Sequence, residues 1–192
     1  MKSLVERDGE LYFHENFLLD SDAIDLHKRL ISELDWNEEF ITIVGKRIKV
    51  PRLVCWHGDP GIKYRYSGTD HVAQHWALSL EKLKQKLEVF SGQKFNAVLG
   101  NQYENGQDSM GWHADKEKVL GDAPYIALLS LGEQRLFKLR HNKSKQTLNL
   151  NLTNGSLLIM AGSLQKYWQH SLPKTSSIKA NRISLSFRTI IS

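Results

Sequence analysis

Apolar residues in the first half of the chain recur mainly at the three- and four-residue spacing of a helix. A helix is predicted from Asp20, where Asp20 or Ser21 can cap it. Its apolar stripe is formed by Ile24, Leu30, Ile31 and Leu34. A second helix is predicted from about Asp70 to Phe90, with one apolar face. That face contains Val72, Trp76, Leu80, Leu83 and Leu87.

Elsewhere apolar and polar residues alternate, as they do in half-buried strands. Residues 41–50 predict a β-hairpin with its tip near Val44, Gly45 and Lys46, and residues 52–56 predict a further strand. Beyond residue 92 the predicted strands cover residues 95–103, 125–131, 135–140, 147–152, 157–160, 164–170 and 183–190. Asn154-Gly155 predicts a hairpin between two of these strands, because Asn-Gly is a preferred two-residue hairpin turn.

This order of elements predicts a mainly β protein with flanking helices. Two helices and about eight later strands fit a jelly roll, or double-stranded β-helix, with the helices packed outside its two antiparallel sheets. The chain of 192 residues contains no repeat, low-complexity tract or linker, so a single domain over residues 1–192 is expected. Within it, residues 1–92 would supply helices and hairpins, and residues 93–192 would form the jelly-roll core.

Composition narrows the class of protein. A hydrophobic content of 41% and a charged content of 24% are those of a soluble globular protein, and a net charge of +5 permits attraction to phosphate. Cys55 is the only cysteine, which excludes an internal disulfide and suits a reducing compartment. No apolar run approaches the length of a membrane span or a signal peptide. We therefore expect an intracellular protein without membrane contact, cytoplasmic or, in a eukaryote, nuclear.

A strand end, a Gly-rich loop and a His-x-Asp sequence follow one another between residues 101 and 115. His113 and Asp115 would project to the same side of an extended chain. Two His and one carboxylate form the metal site of non-haem Fe(II) oxygenases, and His170 offers the second imidazole. In a chain with eight His, a single His-x-Asp arises easily by chance and decides little alone.

Residues 181–188 alternate strictly between polar and apolar side chains. Ile183, Leu185 and Phe187 fall on one face of the predicted strand. The opposite face carries Arg182, Ser184, Ser186 and Arg188. Guanidinium groups bind carboxylates through paired hydrogen bonds, so this face suits a carboxylate ligand. A solvated strand face is the alternative interpretation.

Taken in order, these motifs resemble those of the AlkB family of Fe(II)- and 2-oxoglutarate-dependent dioxygenases, and most of all its animal DNA-repair members. The resemblance rests on Asn101-x-Tyr103-x-x-Gly106, His113-x-Asp115, His170-Ser171-Leu172-Pro173 and residues 181–188. It implies a double-stranded β-helix, in agreement with the pattern of elements. It also implies removal of alkyl lesions such as 1-methyladenine and 3-methylcytosine from DNA, using O2 and releasing succinate, CO2 and formaldehyde.

The resemblance also implies roles for single residues. The implied Fe(II) ligands are His113, Asp115 and His170. The implied contacts of 2-oxoglutarate are Asn101, Tyr103, Arg182, Ser186 and Arg188. Of the two arginines, we expect Arg182 at the distal carboxylate and Arg188 at the iron end. Ser186 replaces the Thr of some relatives and keeps its hydroxyl.

The implied substrate contacts lie mainly upstream of these motifs. They are Arg52, Tyr64, Tyr66, Ser67 and Glu117. An aromatic side chain there could stack on an extruded base, since chemistry on a stacked base requires flipping it out; ordinary packing tyrosines are the alternative. A wedge inserted into duplex DNA is implied for the hairpin tip, formed by Ile43, Val44, Gly45 and Lys46. A hairpin that merely caps the core fits the same residues.

Other interpretations stay open at this point. His71 and His75 are one helical turn apart in the second predicted helix, a spacing that can bind metal, but no acidic or cysteine partner accompanies them at a metal-site spacing. The chain could instead be a 2-oxoglutarate oxygenase acting on RNA or protein, or a jelly-roll binding module without chemistry. The expected partner is alkylated DNA, with RNA as a further candidate, and the expected state is a monomer.

Overall fold

The computed structural model describes residues 2–43, 45–66, 69–177 and 180–191, and antiparallel strands dominate it. In chain order the elements are β1 (Glu10–His14), α1 (Asp20–Glu33), β2 (Asn37–Ile43), β3 (Lys46–Gly58), β4 (Lys63–Tyr66), β5 (Thr69–Val72), α2 (Leu78–Ser91), β6 (Ala97–Tyr103), β7 (Met110–His113), a 3-10 helix (Lys118–Leu120), β8 (Ile126–Gly132), β9 (Arg135–His141), β10 (Thr147–Leu152), β11 (Leu157–Ala161), α3 (Leu164–Tyr167), β12 (Trp168–Leu172) and β13 (Arg182–Arg188). None of the described helices is long and apolar enough to cross a membrane.

Two sheets contain eleven of these strands. The larger sheet has the order β1-β11-β8-β13-β6-β3-β2, and the smaller has the order β10-β9-β12-β7. Neighbouring strands are antiparallel in both sheets. Strands β4 and β5 form a separate pair. The predicted class, a mainly β protein of two antiparallel sheets with few helices, is therefore confirmed.

The larger sheet separates two apolar cores. On its outer face, Leu30 of α1 and Leu87 of α2 pack with Leu185 of β13. Between the two sheets, Leu128 of β8 packs with Phe137 of β9. Side chains alternate between the two faces of a strand. The apolar face of β13 packs against the helices, so its polar face points toward the space between the sheets. This arrangement brings polar side chains from both sheets to one interior.

Strand β3 has two parts with different partners. Its second part, from Leu53 to Gly58, pairs with β6 inside the large sheet, whereas residues 46–49 pair only with β2. A register shift separates the parts, next to Pro51, which has no N–H to give to a ladder. Residues 40–49, here called the β2–β3 arm, confirm the predicted hairpin. The strand predicted at residues 52–56 is not separate but continues β3.

The start of the second helix was predicted wrongly. Helix α2 begins at Leu78, not Asp70, and residues 69–72 form β5. Val72, which was assigned to the apolar helix face, is 64% exposed. The N–H of Ala73 donates to the carbonyl of Ile62, which fixes the chain beyond β5 in a non-helical path. Sheet pairing at long range has overridden the helical spacing.

Helix α1 begins at Asp20 as predicted, but its details differ. The capping position is Leu19, and no side chain caps the helix. Ile24 and Ile31 are 42% and 41% exposed, because the buried stripe is shifted to neighbouring positions. That stripe consists of Ala23, Leu26 and Leu30. The described helix therefore packs through a face rotated from the one that the sequence suggested.

The Asn154-Gly155 turn does not make the predicted hairpin. Strand β10 pairs with β9 in the small sheet, whereas β11 pairs with β1 and β8 in the large one. The Asn154 side chain accepts the N–H of Gly132 at 2.8 Å and donates to Asp20 at 2.7 Å. A Cβ at Gly155, whose φ is +74°, would lie 2.9 Å from the Leu18 carbonyl oxygen. Asn154-Gly155 therefore lies in the connection that crosses from the smaller sheet to the larger one. The strand predicted at residues 164–170 likewise begins as the short helix α3.

Candidate metal centre and active site

Three metal-binding side chains meet between the sheets, near the edge of the smaller one. His113 at the end of β7 lies directly opposite His170 in β12, and their ring centroids are 4.1 Å apart. Asp115 follows β7, and its Oδ1 lies 3.8 Å from Nε2 of His113. One ligand atom from each residue lies within 4.8 Å of the others. Two imidazoles and one carboxylate in this arrangement could hold Fe(II).

Burial and neighbouring charges keep Asp115 and His170 in the protonation state that a metal requires. Burial alone would raise the pKa of Asp115, but Arg188, His170 and His113 outweigh it and hold that pKa below its usual value. Burial is the main cause that lowers the pKa of His170 to about 3, and His113 lowers it further. At neutral pH the cluster therefore offers a carboxylate and a neutral imidazole on His170, as metal ligands must be deprotonated.

Neighbouring groups orient the three side chains. Nδ1 of His113 donates to the carbonyl of Gly111 at 2.9 Å, which leaves Nε2 to bind a metal. The backbone N–H of Asp115 donates to Oε1 of Gln165 at 3.0 Å, and that glutamine is buried. The ring of Phe137 stacks on His170, with centroids 5.3 Å apart. Packing and hydrogen bonds thus fix the positions of these side chains.

The polar face of β13 extends away from this cluster. Its four side chains line the same cavity as the cluster and are all at least 94% buried. They are Arg182, Ser184, Ser186 and Arg188. The alternative of a solvated strand face is therefore wrong. Nη2 of Arg188 lies 3.9 Å from Oδ2 of Asp115, so this arginine is at the metal end of the cavity.

Arg182 lies at the other end of the cavity and is 1% exposed. Its Nη2 donates to Oγ of Ser130 at 2.9 Å, and its Cζ lies 5.3 Å from the ring centroid of Tyr103. Its Nε and Nη1 are buried without a hydrogen-bond partner among the described residues. Burial is the main cause that lowers the pKa of Arg182 to about 10, so it stays charged at neutral pH. A buried cation with unused donors could hold an anion.

Asn101 and Tyr103 project into the cavity from β6, and both are buried. Nε of Arg52 on β3 donates to Oδ1 of Asn101 at 2.6 Å, and Arg52 is buried as well. Arg52 was predicted to contact the substrate base. In the structure it is hydrogen-bonded to Asn101, a residue predicted to contact the co-substrate. Glu117 precedes the 3-10 helix, and its Oε2 is buried without a hydrogen-bond partner in the described part of the chain.

Several other predicted residues fall outside what the structure describes. Tyr64 and Tyr66 lie in β4 and Ile43 in β2, but their side chains are not described. Ser67 and Val44 lie outside the described residues altogether. Gly45 and Lys46 are exposed at the tip of the β2–β3 arm. The base-contact and wedge predictions remain predictions.

The alternative metal site at His71 and His75 is also resolved. His71 lies in β5 and His75 in the loop before α2, so the idea of one helix presenting both to a metal is wrong. Trp112, next to His113 in the chain, is 40% exposed, and Cζ of Arg140 lies 4.5 Å from its ring centroid.

The sequence motifs missed polar residues that support the site. Ser130, Gln165 and Arg135 are each at least 97% buried, and the first two contact Arg182 and Asp115. Ser130 could have been suspected, since it is the only hydroxyl in the otherwise apolar strand β8 and faces Ser184 across the sheet. Arg135 occupies an inward position of β9, where the pattern predicts an apolar residue. Gln165 left no comparable signal.

Comparison with known proteins agrees with this geometry. The model of the 2OG-Fe(II) oxygenase superfamily matches residues 10–188. The chain is 34% identical to bovine DNA oxidative demethylase ALKBH2, over 84% of this chain and 64% of that protein. It is also 34% identical to human alpha-ketoglutarate-dependent dioxygenase alkB homolog 3, over 85% of this chain and 60% of the relative. For human ALKBH2 the identity is 34%, over 84% of this chain and 68% of that protein.

The chain belongs to the AlkB family. The predicted family is therefore confirmed. The predicted metal, Fe(II), and co-substrate, 2-oxoglutarate, are those of the matched superfamily, and the cluster of His113, Asp115 and His170 agrees with them. The chain spans between 60% and 68% of the length of these three AlkB relatives. The solved structure of OsALKBH1 matches 96% of this chain with a TM-score of 0.64 and 18% identity, which supports the jelly-roll fold alone.

Proposed function

We propose that this protein is an oxidative demethylase that removes alkyl lesions, such as 1-methyladenine and 3-methylcytosine, from DNA. It would use Fe(II), 2-oxoglutarate and O2 and release succinate, CO2 and formaldehyde. One observation carries the proposal: in a chain of the AlkB family, the two-histidine, one-carboxylate cluster opens on the cavity that Arg182 lines. The relatives named DNA oxidative demethylase supply the substrate class.

In this proposal His113, Asp115 and His170 bind Fe(II). The donor set fits the metal, since neutral imidazoles and a carboxylate suit Fe(II), and three protein ligands leave further positions open. Asp115 is buried and its pKa is held down by its cationic neighbours, so it is a carboxylate before metal arrives. Gln165 and Gly111 keep two of the ligands oriented, which lowers the cost of assembling the site.

We assign the distal carboxylate of 2-oxoglutarate to Arg182 and the iron end to Arg188. Arg188 lies 3.9 Å from Asp115, whereas Arg182 is held by Ser130 farther along the strand. Six residues of extended strand span about 20 Å, longer than the ligand, so both side chains must lean inward to share it. The two unused donors of Arg182 support this assignment.

Other side chains would complete the co-substrate site. Asn101, Tyr103 and Ser186 line the same cavity and are buried. An amide, a phenol and a hydroxyl can supply hydrogen bonds to the keto and carboxylate oxygens, which the flanking apolar residues cannot. Because bulk water has little access to these groups, their hydrogen bonds to the ligand are strengthened.

When bound, Fe(II) and 2-oxoglutarate would supply, with O2, the oxidation of the N-linked methyl group to a hydroxymethyl group, whose loss as formaldehyde would leave the restored base. The protein contributes position and electrostatics. Arg182 and Arg188 fix the co-substrate, and the buried cluster limits water at the reacting end. These residues thereby direct the oxidation to one bound base.

The substrate contacts stay as predicted from the sequence. Tyr64, Tyr66 and Ser67 would hold the flipped base, together with Arg52 and Glu117. The buried Oε2 of Glu117, which has no hydrogen-bond partner among the described residues, supports a polar contact there. The β2–β3 arm extends beyond the sheet because residues 46–49 pair only with β2, which supports its use as a wedge in duplex DNA.

The distribution of charge supports a polyanionic partner. No Asp or Glu occurs after Glu133, whereas ten lysines and arginines do. Several of them belong to the smaller sheet and to its β9–β10 turn, at half-buried or exposed positions. These are Lys138, Arg140, Lys143 and Lys145. A cationic surface next to the metal ligands would attract the phosphates that flank a bound base.

We also propose that the chain is a single domain, acts as a monomer and works inside the cell. Strands β1, β2 and β3, from residues 1–92, complete the sheet whose other strands come from residues 93–192. The two segments therefore contribute to both apolar cores, one on each face of that sheet, and are expected to fold together.

A substrate panel tests the proposed function. Formaldehyde release is measured with 3-methylcytosine in single-stranded DNA, in duplex DNA and in RNA, and with a methylated protein mixture. We expect turnover on DNA that depends on both Fe(II) and 2-oxoglutarate. Activity confined to RNA or protein would support a different oxygenase. If iron is bound but no 2-oxoglutarate is turned over with any of these substrates, the chain is a binding module.

A further inference from the structure

Arg135, the first residue of β9, is 1% exposed and faces the space between the two sheets. Its Nη1 donates to the carbonyl of Asn105 at 3.2 Å. Its Nη2 donates to the carbonyls of Asp108 and Pro173, at 2.8 and 2.7 Å. A single buried guanidinium thus holds three backbone carbonyls.

Those carbonyls belong to loops that lead to both histidines of the metal cluster. Residues 104–109 connect β6 to β7, the strand that ends at His113. Pro173 directly follows β12, the strand that carries His170. The guanidinium therefore joins the chain just before one histidine strand to the chain just after the other.

Strand pairing alone holds these segments weakly. Strand β7 is at the edge of the smaller sheet, and its only neighbour there is β12. The register between them shifts between His170 and Leu172. A short edge strand with an irregular ladder depends on contacts at its ends for its position. Arg135 supplies three such contacts.

Arg135 also belongs to the environment of the co-substrate. Its Cζ lies 5.8 Å from the ring centroid of Tyr103, and Cζ of Arg182 lies 5.3 Å from the same centroid. Both distances are within the range of cation–π attraction. After burial, the charge of Arg135 is a further cause of the lowered pKa of Arg182, so the two cations repel each other. An anion bound beside Arg182 would relieve that repulsion.

We propose that Arg135 is a positioning residue of the 2-oxoglutarate site. It fixes Tyr103 and the loops around it, and its charge strengthens the attraction of Arg182 for the distal carboxylate. It does so without touching the co-substrate. The identity of the ligand rests on the proposed function, whereas the hydrogen bonds and ring contacts of Arg135 do not.

Calorimetric titration of 2-oxoglutarate into the Fe(II)-loaded chain, without oxygen, tests this role. Arg135→Met should raise the dissociation constant about tenfold, because it removes a buried charge and three hydrogen bonds. Arg135→Gln should have the same effect, and its amide can still donate to the loop carbonyls if the Met variant does not fold. Arg135→Lys, which keeps the charge, should restore part of the affinity.

Two controls separate this role from general stability. Leu11→Ala removes a fully buried side chain of the same core; Leu11 does not line the cavity, and its loss should lower the melting temperature without changing the dissociation constant. Arg29→Met removes an exposed charge from α1 and should leave both unchanged. The role is contradicted if the neutral Arg135 variants, folded by circular dichroism, bind as wild type does or lose no more affinity than Leu11→Ala. A wild-type chain that binds no 2-oxoglutarate contradicts this role and the proposed function together.

Discussion

Buried charges at the active site are unbalanced. Arg52, Arg135, Arg182 and Arg188 are each at least 94% buried, whereas Asp115 is the only buried carboxylate among the described residues. Burying a net charge is costly, so a bound anion would stabilise this arrangement. A doubly charged anion between Arg182 and the metal cluster would offset it. The proposed 2-oxoglutarate site would account for the excess of buried cations.

The first prediction concerns Arg182. Arg182→Ala should raise the concentration of 2-oxoglutarate required for half-maximal turnover at least tenfold, since a charge-assisted contact to a carboxylate contributes about 2–4 kcal/mol. Steady-state kinetics with varied 2-oxoglutarate measure this, and the affinity for DNA should change much less. Loss of DNA binding with unchanged 2-oxoglutarate affinity would mean that Arg182 serves the substrate instead.

The second prediction concerns the metal cluster. His113→Ala, Asp115→Ala and His170→Ala should each abolish turnover at ordinary iron concentrations, while circular dichroism shows a largely unchanged fold. His75→Ala, outside the cluster, is the matched control and should keep near-normal activity. Native-like activity in any of the three variants would remove that residue from the metal site.

At the scale of secondary-structure elements, local patterns predicted strands well and their partners poorly. The alternation of residues 182–188 predicted both β13 and its two faces, because each face meets a different environment. The Asn154-Gly155 turn was found, yet the strands on either side of it join different sheets. Turn chemistry fixes the local backbone, whereas the choice of partner strand depends on contacts far away in the sequence.

The same limit applies to the active site. His113, Asp115 and Arg182 were found because motif spacing marks them. Ser130 and Gln165, which contact Arg182 and Asp115, come from elements distant in the sequence and match no motif. Such supporting residues become visible only when the strands are placed side by side.

The third prediction belongs to the β2–β3 arm. Ile43→Ala combined with Val44→Ala should lower demethylation of duplex DNA much more than that of single-stranded DNA. Unstacking a base costs a few kcal/mol, and an inserted apolar side chain can offset part of that cost. Parallel assays on matched substrates measure the ratio. Equal loss on both substrates would indicate a folding defect, and no loss on either would exclude the wedge.

At the scale of the whole molecule, charge is segregated along the chain. Every acidic residue lies at or before Glu133, although the net charge is only +5. Lys138 and Arg140 lie in β9, which pairs with β12, the strand that carries His170. Attraction of nucleic acid to these cations should be sensitive to salt.

The fourth prediction tests that attraction. Lys143→Gln combined with Lys145→Gln, in the exposed β9–β10 turn, should weaken binding of nucleic acid irrespective of its sequence. Each lost phosphate contact should also reduce the slope of log affinity against log salt by about one. Fluorescence anisotropy at several salt concentrations measures both effects. Lys28→Gln combined with Lys82→Gln, on the two helices, is the matched control. An unchanged slope in the first variant would exclude phosphate contacts by this turn.

The central claim is that this chain oxidises a methyl group on a DNA base. The most direct measurement is the mass of a single-stranded oligonucleotide that carries one 1-methyladenine or 3-methylcytosine, after incubation with the protein, Fe(II), 2-oxoglutarate and O2. We predict loss of one methyl group, with one formaldehyde and at least one succinate formed for each, and no loss when Fe(II) or 2-oxoglutarate is omitted or with His170→Ala. An oligonucleotide that keeps its methyl group while the protein binds both Fe(II) and 2-oxoglutarate would contradict the claim.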